Sequence, residues 1–113
     1  MAYEAYDVVV VPFPFTDRES TKRRPALVLS KLSSFSQPSA HSVLAMITSE
    51  KNDPWPLDTR ISDLASAGLS AASVLRMKLF TLDNRLILKK IGILAPNDQK
   101  AFQINLDHLL ATS

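Results

Sequence analysis

The chain has 113 residues with a hydrophobic share of 46%, a length for about one domain of roughly 100 to 200 residues, here 1–113, and a composition that supports a packed core rather than disorder. With no cysteine and only two isolated histidines, His41 and His108, there is neither a disulfide framework nor the donor set of a zinc centre, so a function without metal or cofactor is the expectation. Thirteen Lys and Arg against 11 Asp and Glu leave a net charge of +2, too little for a blanket nucleic-acid binder, and the absence of a membrane-length apolar run or a signal-like start points to the cytoplasm.

Val8 to Val11 is β-branched without interruption, the pattern of a strand buried on both faces, and Pro12-Phe13-Pro14-Phe15 ends it near Phe13 because proline has no N–H for a central ladder. Thr16 to Arg23 is charged and aperiodic and reads as a connecting loop. It carries the densest basic cluster of the chain, Arg18, Lys22, Arg23 and Arg24, diluted by Asp17 and Glu19. Ala26 to Ser30 is the second strand, with Pro25 at its start. Lys31 to His41 is Ser-rich and reads as a loop. Ser42 to Thr48 is the third strand, and it ends on the hydroxyls of Thr48 and Ser49.

Glu50 to Pro56 breaks regular structure. Leu57 to Ile61 suits a short strand, and Ser62 to Ala72 has weak helical character around Asp63-Leu64-Ala65. Ser73 to Leu82 alternates in its second half and is punctuated by Asp83-Asn84. Leu86 to Leu94 is a further strand in which Gly92 marks a bulge or a close backbone approach. Pro96 suits the first turn of a helix whose Phe102, Leu106, Leu109 and Leu110 fall at i, i+4, i+7 and i+8. Short strands in series with one terminal helix indicate a small, mainly antiparallel β-barrel with a helix packed on it.

Taken in order, DVVVVPFPF at 7–15, RRPALVLS at 23–30, AMITSE at 45–50, PWP at 54–56 and SVLRMKLFTLDNRLILKKIGIL at 73–94 resemble the MazF/PemK family of toxin endoribonucleases from type II toxin-antitoxin pairs. Members usually carry glycine before the aspartate of the first strand, where this chain has Tyr6. They also commonly have an acidic residue where it has Arg76-Met77-Lys78. The resemblance implies an SH3-like barrel, a homodimer, metal-independent cleavage of single-stranded RNA, and a cognate antitoxin that covers the RNA groove.

Residue by residue, the resemblance makes Arg24 the catalytic arginine and Thr48 the catalytic threonine. The planar fork of Arg24 suits two phosphoryl oxygens, which a lysine point charge holds less well. An unperturbed hydroxyl is a poor base, so Thr48 is read as a donor that positions the scissile phosphate. The base is then unassigned, with Glu19 the nearest acidic candidate by sequence. Arg18, Lys22, Arg23 and Ser49 are candidate RNA contacts. Trp55 between two prolines offers a stacking surface for an unpaired base or, alternatively, a cover for the barrel mouth or dimer seam. Two other functions fit the same barrel type: a CcdB-like gyrase poison acting through its C-terminal helix without RNA chemistry, and a degenerate member kept for antitoxin binding.

Overall fold

A computed structural model of the chain describes residues 2–13 and 22–112. Six strands form one antiparallel sheet in the order β4-β5-β3-β2-β1-β6. They are β1 (Asp7–Phe13), β2 (Lys22–Val28), β3 (His41–Ser49), β4 (Thr59–Arg60), β5 (Ser73–Asp83) and β6 (Lys89–Ile93), with short helices α1 (Gln37–Ser39) and α2 (Leu64–Ala67) and a long α3 (Pro96–Leu109). No helix among the described residues is long and apolar enough to cross a membrane.

β1 is sandwiched between β2 and β6, and its valines divide between two cores as a strand buried on both faces requires. Val8 joins Leu27, Ala45, Ile47 and Leu75 on the side closed by Leu94 and by Phe102 of α3. Val9 and Val11 join Ala26, Val28, Leu44, Leu82 and Ile87 on the other. Both strand prolines sit where their strand has one partner. β6 pairs with β1 only along Asp7 to Val10, short of Pro12, and β3 meets β2 only from Ala26 onward, beyond Pro25, so neither missing donor breaks a ladder.

The sheet curls until its two ends meet, and the only two glycines of the chain make the contact. α2 follows β4 at one end of the sheet and lies against β6 at the other. A Cβ on Gly92 would stand 2.5 Å from the Ser66 carbonyl oxygen, and one on Gly68, whose φ is +73°, would stand 2.7 Å from the Ile91 carbonyl carbon. Gly92 is also next to a bulge, because Val8 opposes Gly92 while Val9 opposes Lys90, leaving Ile91 extra. α3 is fastened to the same end: buried Asp98 accepts from the Ser62 amide (3.0 Å), the Ser62 hydroxyl (2.6 Å) and the Asp63 amide (2.9 Å). Burial raises the Asp98 pKa, but these hydrogen bonds outweigh it and hold the carboxyl below its ordinary value.

Several local expectations are corrected. β2 starts at Lys22 rather than Ala26 and ends at Val28, since pairing with β1 is a backbone ladder that carries through charged residues. Lys31 to His41 contains a π-helical turn over Leu32–Ser36 and then α1, closed by Ala40 at φ +58°. The strand expected from Leu86 begins only at Lys89, because the Asp83 side chain accepts from the Arg85 amide and caps a 3-10 turn over Asn84–Leu86. On α3, Phe102 is fully buried and Leu106 packs on the core, but Leu109 and the following Leu110 are exposed.

Candidate active site

Antiparallel pairing brings the end of β1, the start of β2, the end of β3 and the start of β5 to one edge of the sheet. Arg24 lies opposite Val11 on β2, half-buried, with its guanidinium carbon 5.6 Å from the centre of the Phe13 ring. Its Nε is buried and has no hydrogen-bond partner among the described residues. A buried cationic donor without an acceptor is costly unless an anion is to fill it. The β2–β3 ladder ends at Ala26 opposite Met46. Two residues further along each strand stand Arg24 and Thr48, both on the face of Ala26 and Met46 by the alternation of strands.

Thr48 Oγ1 accepts from Asn52 Nδ2 at 2.6 Å. Asn52 belongs to a turn in which the Lys51 amide donates to Ser49 Oγ (3.2 Å) and the Asn52 amide to the Ser49 carbonyl (3.1 Å). Ser49 thus helps to build the turn beside Thr48. Lys22 is exposed opposite Phe13, and Arg23 is exposed opposite Pro12. Successive residues alternate faces, so Arg23 points away from Arg24. Both arginines border, with Pro25, Leu69 and Ser73, a cavity of about 300 Å³. Arg18 and Glu19 lie outside the described residues.

Trp55 stands beyond Asn52, 42% exposed, beneath two cations: Lys78 Nζ is 4.6 Å and Arg76 Cζ 5.6 Å from its ring centre. Arg76 is buried and grips Asp58 through Nε and Nη2, and Nη2 also donates to the Asp53 carbonyl at 2.8 Å. Asp58 in turn accepts from the Trp55 amide at 2.9 Å. Burial pushes the Asp58 carboxyl up. The hydrogen bonds from Arg76 and Trp55 and the Arg76 charge more than offset this, leaving its pKa below the ordinary value. The same hydrogen bonding to Asp58 raises the Arg76 pKa.

Sequence reading left Asn52, Asp58 and Arg76 out of the site. The available signal was an arginine inside the otherwise apolar run Ser73 to Met77, where a buried cation needs a carboxylate. Nothing in the sequence says which of Asp53 and Asp58 supplies it. His41 is set apart, with Nδ1 2.8 Å from the Ser39 carbonyl.

The structure aligns with that of MazE-MazF from Deinococcus radiodurans at a TM-score of 0.78 and 21% identity, covering 100% of both chains. It aligns with the Mycobacterium tuberculosis toxin MazF-mt6 at 0.70 and 18% identity over 90% of this chain and 93% of that one. An endoribonuclease in complex with its cognate antitoxin from a mycobacterial species aligns at 0.76 and 16% identity over 99% and 98%. At such identities these likenesses establish the fold. Comparison with curated proteins by sequence yields no match. The model of the PemK-like, MazF-like toxin family matches residues 4–110. With that match running from before β1 to the end of α3, this chain belongs to the PemK-like, MazF-like toxins of type II toxin-antitoxin systems.

Proposed function

We propose that this toxin is a metal-independent endoribonuclease that cuts single-stranded RNA, works as a homodimer in the cytoplasm, and is inhibited by a cognate antitoxin. The observation that carries the reading is Arg24, whose buried Nε has no hydrogen-bond partner among the described residues, at the level of Thr48 on the neighbouring strand. In the reaction the ribose 2′-oxygen attacks the adjacent phosphorus, the bond to the 5′-oxygen breaks, and a 2′,3′-cyclic phosphate remains. Arg24 holds and neutralises the phosphoryl oxygens, and Thr48 donates a hydrogen bond to them. The 2′ proton passes to a base, for which Glu19 is the candidate, and the 5′-oxygen takes up a proton as it leaves.

Arg18, Lys22, Arg23 and Ser49 contact the RNA backbone in this reading, and Trp55 stacks on an unpaired base. The mycobacterial endoribonuclease solved with its cognate antitoxin and the MazE-MazF complex support an inhibitory partner for this chain. The deciding experiment is end-group analysis of RNA incubated with the purified protein in EDTA. Cutting that leaves a 2′,3′-cyclic phosphate is the expected result. RNA left intact would remove the nuclease reading, and cutting only after a divalent cation is restored would remove the metal independence.

A further inference from the structure

The hydroxyl of Thr48 carries one hydrogen and two lone pairs. Asn52 Nδ2 donates to one of those lone pairs at 2.6 Å, so the threonine's own hydrogen cannot point at Asn52 and is left to donate elsewhere. Asn52 can impose this because its backbone is pinned on both sides. Its amide donates to the Ser49 carbonyl (3.1 Å), the Glu50 amide donates to the Ala72 carbonyl at the start of β5 (3.0 Å), and the next carbonyl, of Asp53, accepts from buried Arg76 at 2.8 Å. A side-chain amide on a loose turn would orient nothing; this one stands, exposed, on a turn whose backbone is tied to the sheet.

We infer that Asn52 is a positioning residue that sets Thr48 as a hydrogen-bond donor toward the scissile phosphate. The inference rests on the ribonuclease reading above. A donor aligned before reaction costs no reorganisation as charge grows on the phosphoryl oxygens. Asn52→Asp would reverse the polarity with almost no change of shape: a carboxylate only accepts, so it would draw the Thr48 hydrogen to itself and set a negative charge near the phosphate.

The test is single-turnover cleavage of an RNA oligonucleotide by the wild type, Asn52→Ala, Asn52→Asp, Thr48→Ala and the Thr48→Ala/Asn52→Ala double variant, with circular dichroism to confirm folding. Asn52→Ala is expected to slow the saturated rate about tenfold, with half-saturation changed by less than about twofold. Asn52→Asp should be slower still. Asn52→Ala should cost nothing further once Thr48 is alanine, because no hydroxyl is left to orient. An Asn52→Asp variant as fast as wild type, or an equal loss from Asn52→Ala with and without Thr48, would overturn the inference while leaving the ribonuclease reading intact. A wild type that cuts no RNA would overturn both.

Discussion

Arg76 holds Asp58 with two roughly parallel hydrogen bonds, Nε to Oδ1 at 3.2 Å and Nη2 to Oδ2 at 2.9 Å, and the pair is the clasp of the segment that carries Asn52 and Trp55. Its side chains are only 9% and 16% exposed. Removing one partner leaves the other charge buried and uncompensated. Asp58→Ala is therefore expected to destabilise the fold by about 3 kcal/mol, the lower end for a broken buried pair because Asp58 keeps some water. Urea unfolding gives the value. The Asp58 pKa is depressed in the folded state, so the contribution is complete above the ordinary aspartate value of about 3.9 and fades as pH falls through the lower folded value. The stability gap between wild type and Asp58→Asn should shrink from about pH 4 down to the acid limit of folding; a gap constant with pH would show that Asp58 is not held as a carboxylate.

Tyr6 occupies the left-handed region at φ +71°, at the position where family members usually have glycine. Its backbone is committed there: the Tyr6 amide donates to the Val28 carbonyl (2.7 Å) and the Leu94 amide donates to the Tyr6 carbonyl (2.9 Å). The ring packs on the core, and its hydroxyl meets Gln103 of α3. Alanine would lose the ring and keep the strain, whereas glycine would lose the ring and the strain together. Tyr6→Gly should therefore be more stable than Tyr6→Ala by about 1 kcal/mol, read as a higher urea midpoint. The opposite order would mean that the turn relaxes when the ring is gone.

Arg24→Ala is expected to lower RNA cleavage by roughly 100- to 1000-fold, the usual cost of one donor to a transition-state oxyanion, with a little-changed melting temperature because its Nε makes no hydrogen bond among the described residues. Arg24→Lys should recover little, since an ammonium cannot reproduce the fork. Near wild-type cutting by Arg24→Ala would remove the residue from the site.

RNA binding should weaken with salt at about 0.7 log units per decade for each phosphate contacted. Replacing Arg18, Lys22 and Arg23 together by glutamine should flatten the slope. An unchanged slope would discard this loop as the RNA contact. Because β2 turns Lys22 and Arg23 to opposite faces, single replacements measured by fluorescence anisotropy should differ, with Lys22, on the face of Arg24, the more costly.

An antitoxin that inhibits by occlusion should present an acidic segment that orders on binding to this basic edge. Hydrogen exchange on the complex should show protection at residues 16–24 and 52–57, with RNA displaced by the partner. Protection confined to α3, with RNA still bound, would instead favour inhibition from a distance.

The strand order along the chain, the burial of β1 on both faces and the proline start of α3 were all readable from residue type, because each rests on a local rule of alternation or a missing donor. The double role of Gly92 was readable only as a pair of alternatives. Pairing of β6 with β1 supplies the bulge, and the arrival of Ser66 and Ala67 from the other end of the sheet supplies the close approach. Arg24 and Thr48 could be singled out by resemblance, and their shared edge followed from pairing β2 with β3.

The family, the sheet and the residue types available for phosphate chemistry were legible along the chain, since these depend on order and periodicity. The packing of the elements settled that Arg76 chooses Asp58 and that Asn52, in the turn after β3, reaches Thr48. Those outcomes depend on strand register, on a register shift in β5 beside Met46, and on which carboxylate can reach a buried guanidinium. They are set by how a turn and two strands meet, and periodicity along one strand does not encode them.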